Sequence, residues 1–226
     1  KSVINQAIQL KQKQNKTVPA DVWLPEPVIT DEDLQHQEIF NFSLLARMEQ
    51  LNPKERAVFI LKEGFGYSHE EIGEILSLTT ENSRKNLSRA KERLKSIGSI
   101  NKLHFRPVVS DIVKKLINAI RDGDTDNVKT LLAEDIQFYA DGGTKIKVVA
   151  KECVGADQVS KLLMYVHQTF NSALEIKFTT INHQPAVLFM QDDVIQSCQV
   201  FEVDQNNIIR IDVVIDPEKL TKLKTN

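Results

Sequence analysis

Only two cysteines, Cys153 and Cys198, occur in 226 residues. Neither sits at metal-ligand spacing or in a secreted disulfide pattern, so both are expected to be reduced core thiols of a cytoplasmic protein. The five histidines, His36, His69, His104, His167 and His183, are scattered without ligand spacing, so no metal site and no cofactor is expected. No apolar run is long enough to span a bilayer, which leaves the membrane out of the expected partners. There are eight glycines and no phosphate-cradling loop among them. Gly64-Phe65-Gly66 lacks the preceding strand and the third glycine of such a loop, and reads as a helix-ending turn. Charge of one sign is also missing: 29 basic residues stand against 31 acidic ones, for a net charge of -2. A chain so balanced does not bind polyanions unspecifically as a whole. The chain opens at Lys1 rather than at methionine, and reads as a fragment or a processed product.

What the chain does have is a local concentration of cations. Tyr67 to Leu76 predicts a first helix, with Ser68 as cap and Glu71 completing a capping box. Ile72, Ile75 and Leu76 share one apolar face, and Gly73 is small where a crossing helix must come close. Ser77 to Thr80 is a polar turn, with Thr80 as the next N-cap. A second helix runs from about Glu81 to Ser96, with Leu87, Ala90, Leu94 and Ile97 as its core stripe. Between Arg84 and Lys95 lie six basic residues and one acid, Glu92. Asn82, Arg84, Lys85, Ser88, Arg89 and Arg93 occupy the remaining faces. A capped helix, a short turn and a basic helix form a helix-turn-helix. In that arrangement residues near the second helix's start reach base edges and flanking cations hold phosphates. These six residues are the candidate DNA contacts.

Leu51-Asn52-Pro53-Lys54-Glu55-Arg56-Ala57-Val58-Phe59, Gly64-Phe65-Gly66-Tyr67-Ser68-His69-Glu70-Glu71-Ile72-Gly73 and Arg84 to Lys91 together resemble region four of an extracytoplasmic-function (ECF) sigma factor. The resemblance implies binding to promoter DNA at the upstream (minus-thirty-five) element and to the RNA polymerase core. Ser83 departs from the family, which usually places an apolar residue there. A hydroxyl on the core stripe is expected to pack less well.

The rest of the chain divides around this module. Residues 1–16 resemble the tail of sigma region two, most of which is absent. Residues 17–33 are a linker, stiffened by Pro19, Pro25 and Pro27. Within it Trp23-Leu24-Pro25-Glu26-Pro27 resembles the linker signature of the ECF group with a SnoaL-like C-terminal extension, and its Trp-Leu pair is expected to dock. Residues 34–98 form the region-four domain, where Arg56 is expected in a surface ion pair. Residues 106–226 read as a second domain. Val109 to Ile120 is a periodic helix, and Asp124 caps a short one. Ile136, Phe138 and Ala140 alternate as a strand, and Ile146 to Ala150 is expected as the next. Gly155 to Phe170 is a helix with Val159, Leu162, Leu163, Val166 and Phe170 buried. Four strands follow, separated by turn-rich breaks.

This order, with Asp141-Gly142-Gly143-Thr144-Lys145 and Asp216-Pro217-Glu218-Lys219-Leu220, resembles the SnoaL-like cone. The expected architecture is therefore an all-α helix-turn-helix domain followed by an α+β cone, a curved antiparallel sheet with helices. Thr144 stands where the group's signature has a third glycine; a positive φ there would strain it and reshape the loop. Two functions compete. In the first, the resemblance implies a non-enzymatic regulator: Asp141, Gly142, Gly143 and Lys145, with Trp23 to Pro27, mediate intramolecular contact between the cone and the sigma regions. In the second, the cone keeps a small-molecule or isomerase-like pocket, for which Asp141, Tyr139 and His167 are the available acid-base groups.

Overall fold

The computed structural model describes residues 22, 24–29, 42–96, 111–204 and 207–223. The chain divides into two compact units. One comprises Lys1–Asp21, Gln37–Phe40 and Leu44–Leu103, the other Val22–His36, Asn41–Ser43 and His104–Asn226. Trp23, Ile97, Val109 and the expected region-two tail lie outside the described residues.

The first unit is built on capped helices. Helix α1 spans Phe42–Met48, and its residues from Leu44 onward belong here. Helix α2, Pro53–Phe59, starts with Pro53 in its first turn, and Asn52 and Glu55 form a reciprocal capping box. A single π-helical turn, Ile60–Gly64, extends it before Gly66 turns the chain at φ +71°. Helix α3, His69–Leu76, carries the expected capping box: Ser68 Oγ accepts from Glu71 N–H at 3.2 Å and Glu71 accepts from Ser68 N–H at 2.7 Å. Helix α4, Thr80–Ser96, starts one residue earlier than expected, because Thr79 Oγ1 accepts from Asn82 N–H at 3.2 Å. Gly73 is needed for a different reason than expected: a Cβ there would lie 2.7 Å from the Leu78 carbonyl oxygen of the turn, not against a crossing helix. Leu44, Met48, Leu51, Phe59, Ala90 and Leu94 form one core patch. Val58, Ile72 and Leu76 form another, and Leu87 packs on both.

The second unit is a mixed sheet wrapped on helices. Helix α5, Asp111–Asp122, buries Val113, Leu116, Ile117 and Ile120 on one face. Helix α6 is Thr125–Leu131, capped by Asp124, and helix α7 is Ala156–Val166. The strands are β1 Leu132–Asp141, β2 Glu152–Val154, β3 Glu175–Ile181, β4 Gln184–Gln191, β5 Val194–Asp204 and β6 Asn207–Val214, ordered β2-β1-β6-β5-β4-β3. The pairing is antiparallel throughout except β1 with β6, which is parallel. Register shifts at Phe189/Met190 and Glu202/Val203 curve the sheet. Phe138, Phe189, Phe201 and Ile211 point inward against α5 and α7.

Two expected elements differ. Residues 146–150 are not a strand; Ile146 N–H returns to the Gly142 carbonyl at 3.1 Å, closing a loop, and β2 starts only at Glu152. Phe170 is 56 % exposed rather than buried. Helix α7 ends in a π turn, His167–Asn171, whose extra residue rotates Phe170 outward and Asn171 inward.

Candidate nucleic-acid interface and linker clasp

Asn82, Arg84, Lys85, Ser88, Arg89 and Arg93 are all exposed on α4. They do not share one electrostatic state. Among the described residues Arg84 and Arg89 carry no ion pair. Lys85 pairs with Glu81 at 2.6 Å, one turn back and well exposed, a contact of little worth that a phosphate can displace. Arg93 lies 3.2 Å from Glu55, whose side chain is 1 % exposed, so it also braces α4 on α2. Arg56 makes the expected ion pair, with Glu49 at 2.6 Å.

The start of α4 is fixed by a polar contact that sequence reasoning missed. Ser83 is fully buried, and its Oγ lies 2.9 Å from His69 Nδ1 on α3. The hydroxyl that replaces an apolar group is therefore satisfied rather than misfit. Burial, then Lys62 and Arg84, push the His69 pKa below its ordinary value, against the opposing pull of Glu70 and Glu63.

In the second unit, residues 24–29 lie as a strap on the cone. Asp141 ends β1, and its carboxylate accepts from Leu24 N–H and from Gly143 N–H, each at 2.8 Å. Lys219 reaches Asp141 at 2.6 Å and also donates to the Leu24 carbonyl. One buried ion pair thus engages both the N–H and the C=O of Leu24, whose side chain is itself buried. Lys222 pairs with Glu26. Further along, Val28 N–H donates to Asn182 Oδ1 at 2.9 Å, Asn182 N–H donates to the Val28 carbonyl at 2.8 Å, and Ile29 bridges Ile181. Pro25 and Pro27 are buried.

The loop after Asp141 needs its glycines. A Cβ on Gly142 would lie 2.1 Å from the Ile146 carbonyl oxygen. Gly143 has φ +62°, and a Cβ there would lie 2.5 Å from the Asp216 carboxyl carbon. Thr144 does not adopt a positive φ, so the third-glycine position is unstrained. Lys145 pairs with Glu218 at 2.8 Å on the surface, tying the loop to helix α8, Pro217–Leu220. Lys219 escaped sequence reasoning as a site residue. Its signal was the helix start Asp216-Pro217: an N-cap and a first-turn proline place Lys219 three residues on.

The acid-base candidates lie apart from one another in chemistry. Asp141 is held by the clasp. Tyr139 stacks under Arg210, 4.2 Å from its ring centroid. Burial raises the Tyr139 pKa, with Arg210 opposing. Arg210 is bidentate to Asp212, which accepts from Ser43 Oγ at 3.3 Å, and Ser43 N–H donates to Gln184 at 2.8 Å. His167 lines a small cavity of about 10 Å³ and, beside it, an open groove of about 430 Å³. Among the described residues no cluster of His, Cys, Asp or Glu is arranged to hold a metal ion, and no helix is long and apolar enough to cross a membrane.

Residues 41–94 match the family profile of sigma-70, region 4. The chain is 28 % identical over 159 residues to the ECF RNA polymerase sigma factor SigJ of Mycobacterium tuberculosis, covering 67 % of this chain and 51 % of that protein. It is 24 % identical over 185 residues to the probable ECF RNA polymerase sigma factor SigI of the same species, covering 80 % of this chain and 60 % of that one. The chain thus spans between half and two thirds of the length of these relatives. The crystal structure of M. tuberculosis SigJ shares its fold, with a TM-score of 0.72 at 22 % identity, over 96 % of this chain and 80 % of that one. Residues 41–94 thus match sigma-70, region 4, and the chain as a whole is similar to ECF RNA polymerase sigma factors and shares the fold of one of them.

Proposed function

We propose that the helix-turn-helix unit binds the upstream (minus-thirty-five) promoter element as part of a cytoplasmic factor that recruits RNA polymerase core to promoters. The observation that carries this is the pair Arg84 and Arg89: exposed, without an ion pair among the described residues, and held on a helix braced by its partner. Unpaired guanidinium groups on such a helix suit guanine edges and phosphates. A gel-shift titration against the upstream element tests it. Arg89→Ala weakens binding by roughly 1–3 kcal/mol if the contact is to a base edge, and unchanged affinity defeats the assignment.

The cone in this reading is a regulator, acting through the linker and through region two, and not a catalyst. The clasp on Leu24 supports it, because a linker held by its backbone is held in a set path. Asp141 and Tyr139 are engaged elsewhere, Asp141 by Lys219 and Leu24 and Tyr139 under Arg210. Run-off transcription with core polymerase separates the two roles. Asp141→Asn, with its retained fold checked by circular dichroism, changes transcript yield; wild-type yield removes the regulatory half of the proposal.

A further inference from the structure

His69, the first residue of α3, ties together the two helices of the helix-turn-helix. Its Nδ1 lies 2.9 Å from Ser83 Oγ, and Ser83 is fully buried near the start of α4. That contact tethers the ring by one nitrogen. The residue is half-buried, and among the described residues its Nε2 has no hydrogen-bond partner. Immediately after Ser83 comes Arg84, exposed and without an ion pair among the described residues. On DNA, the second helix of such a unit lies in the major groove and the first crosses the phosphate backbone. A tethered imidazole with a free nitrogen therefore stands beside a cation, on the helix that crosses the backbone.

Charged groups face the ring from three elements. Lys62 and Glu63 lie on the π turn, Glu70 on α3 and Arg84 on α4. The acids do not offset the cations. After burial, Lys62 and then Arg84 act most strongly, and they hold the imidazole below its ordinary 6.5. Glu63 is drawn to Lys91 at 2.9 Å. The free protein thus keeps His69 neutral at neutral pH. A DNA phosphate reverses the balance. It offsets Arg84 and accepts from Nε2–H, while Nδ1–H donates to Ser83 Oγ, so both nitrogens of the cation have acceptors. We propose that His69 is a backbone-phosphate contact engaged as the imidazolium, so that DNA binding takes up a proton. The inference rests on the promoter reading and adds a proton-linked contact to it. Folding and binding then answer acid with opposite signs. Acid costs fold stability, because the imidazolium lacks a counter-charge in the free protein. It raises affinity, because DNA supplies one.

The test uses the full 226-residue chain and a fluorescent duplex that the protein has itself enriched from a random-sequence pool. Anisotropy titrations are run at constant ionic strength. Affinity is expected to rise about tenfold from about pH 7.5 to about pH 5.5, as one added charge-assisted contact does. His69→Gln keeps a neutral polar side chain and is expected to flatten that profile. A structural role alone predicts the reverse slope, with affinity falling as the fold weakens. A wild-type profile that is flat or falls on acidification overturns the proposal, as does a slope retained in His69→Gln. In either case, saturable binding that Arg89→Ala weakens leaves the promoter reading standing. A pool from which no duplex is enriched overturns both. Should His69→Gln unfold, NMR titration of the His69 ring in the wild type decides. Its pKa is expected to be higher on DNA than in the free protein, and equal values overturn the proton link.

Discussion

The Asp141 carboxylate lies 2.6 Å from the Lys219 ammonium, and both side chains are almost fully buried. A buried pair is weak evidence of stability in itself, but breaking it leaves one charge uncompensated, at a cost of about 3–5 kcal/mol. Asp141→Asn is expected to fall in that range by urea denaturation of the cone. The double variant Asp141→Asn with Lys219→Met recovers part of the loss, because no lone charge stays buried. A single-variant loss below about 1 kcal/mol would mean that solvent reaches the pair in solution.

Much of this was legible in the chain. The box Ser68–Glu71 and the apolar spacings along α3, α4 and α5 act within a few residues, and local rules read them. Docking of Leu24 was legible too, as half of a Trp-Leu pair that a linker cannot leave exposed, while Trp23 lies outside the described residues. The mode of docking was not, because Asp141 and Lys219 grip backbone atoms, which every residue shares. The parallel β1–β6 pair was equally hidden, since pairing direction between strands so distant in sequence leaves no periodic trace. Phe170 misled because periodicity assumes 3.6 residues per turn, and the π turn at His167–Asn171 breaks that count. Ser83 looked like a flaw because its partner, His69, lies on another helix.

That His69–Ser83 contact predicts a coupling between α3 and α4. A double-mutant cycle with His69→Ala and Ser83→Ala is expected to give an interaction energy of about 1 kcal/mol. It also predicts a pH dependence. The folded-state pKa of His69 is depressed from 6.5, so the unfolded chain takes up the proton first. The associated stability is present above about pH 6.5 and is lost as pH falls through the folded-state value. Melting temperatures recorded between neutral and mildly acid pH test this. The wild type should lose more on acidification than His69→Ala, and identical slopes would contradict it.

The two thiols should differ in reactivity. Cys198 is fully buried in β5, and burial pushes its pKa up to about 12. Cys153 in β2 is half-buried, and its thiol is also raised, by burial against a backbone hydrogen bond. The thiolate is the reactive form, so both are sluggish and Cys198 is nearly inert. Ellman's reagent at pH 8 is expected to titrate one thiol slowly in the native protein and both at once in denaturant. Rapid native labelling of two thiols would place Cys198 at the surface.

Arg89 and Arg93 are one helical turn apart on α4, yet their variants should fail differently. Arg93 contacts Glu55, whose buried carboxylate also accepts from Asn52 N–H at 3.3 Å to start α2. Arg93→Ala leaves that carboxylate without its guanidinium. The half-exposed arginine is partly screened by solvent, so the expected loss of stability is about 1–2 kcal/mol rather than the full cost of a buried pair. Arg89 is exposed, with no ion pair among the described residues, and Arg89→Ala should leave stability within about 0.5 kcal/mol. Its loss appears instead in affinity for the upstream element. Thermal denaturation and gel-shift titration of both variants separate the roles. If Arg93→Ala keeps full stability and loses DNA binding, Glu55 is not the partner that matters in solution, and Arg93 belongs among the groove-facing contacts instead.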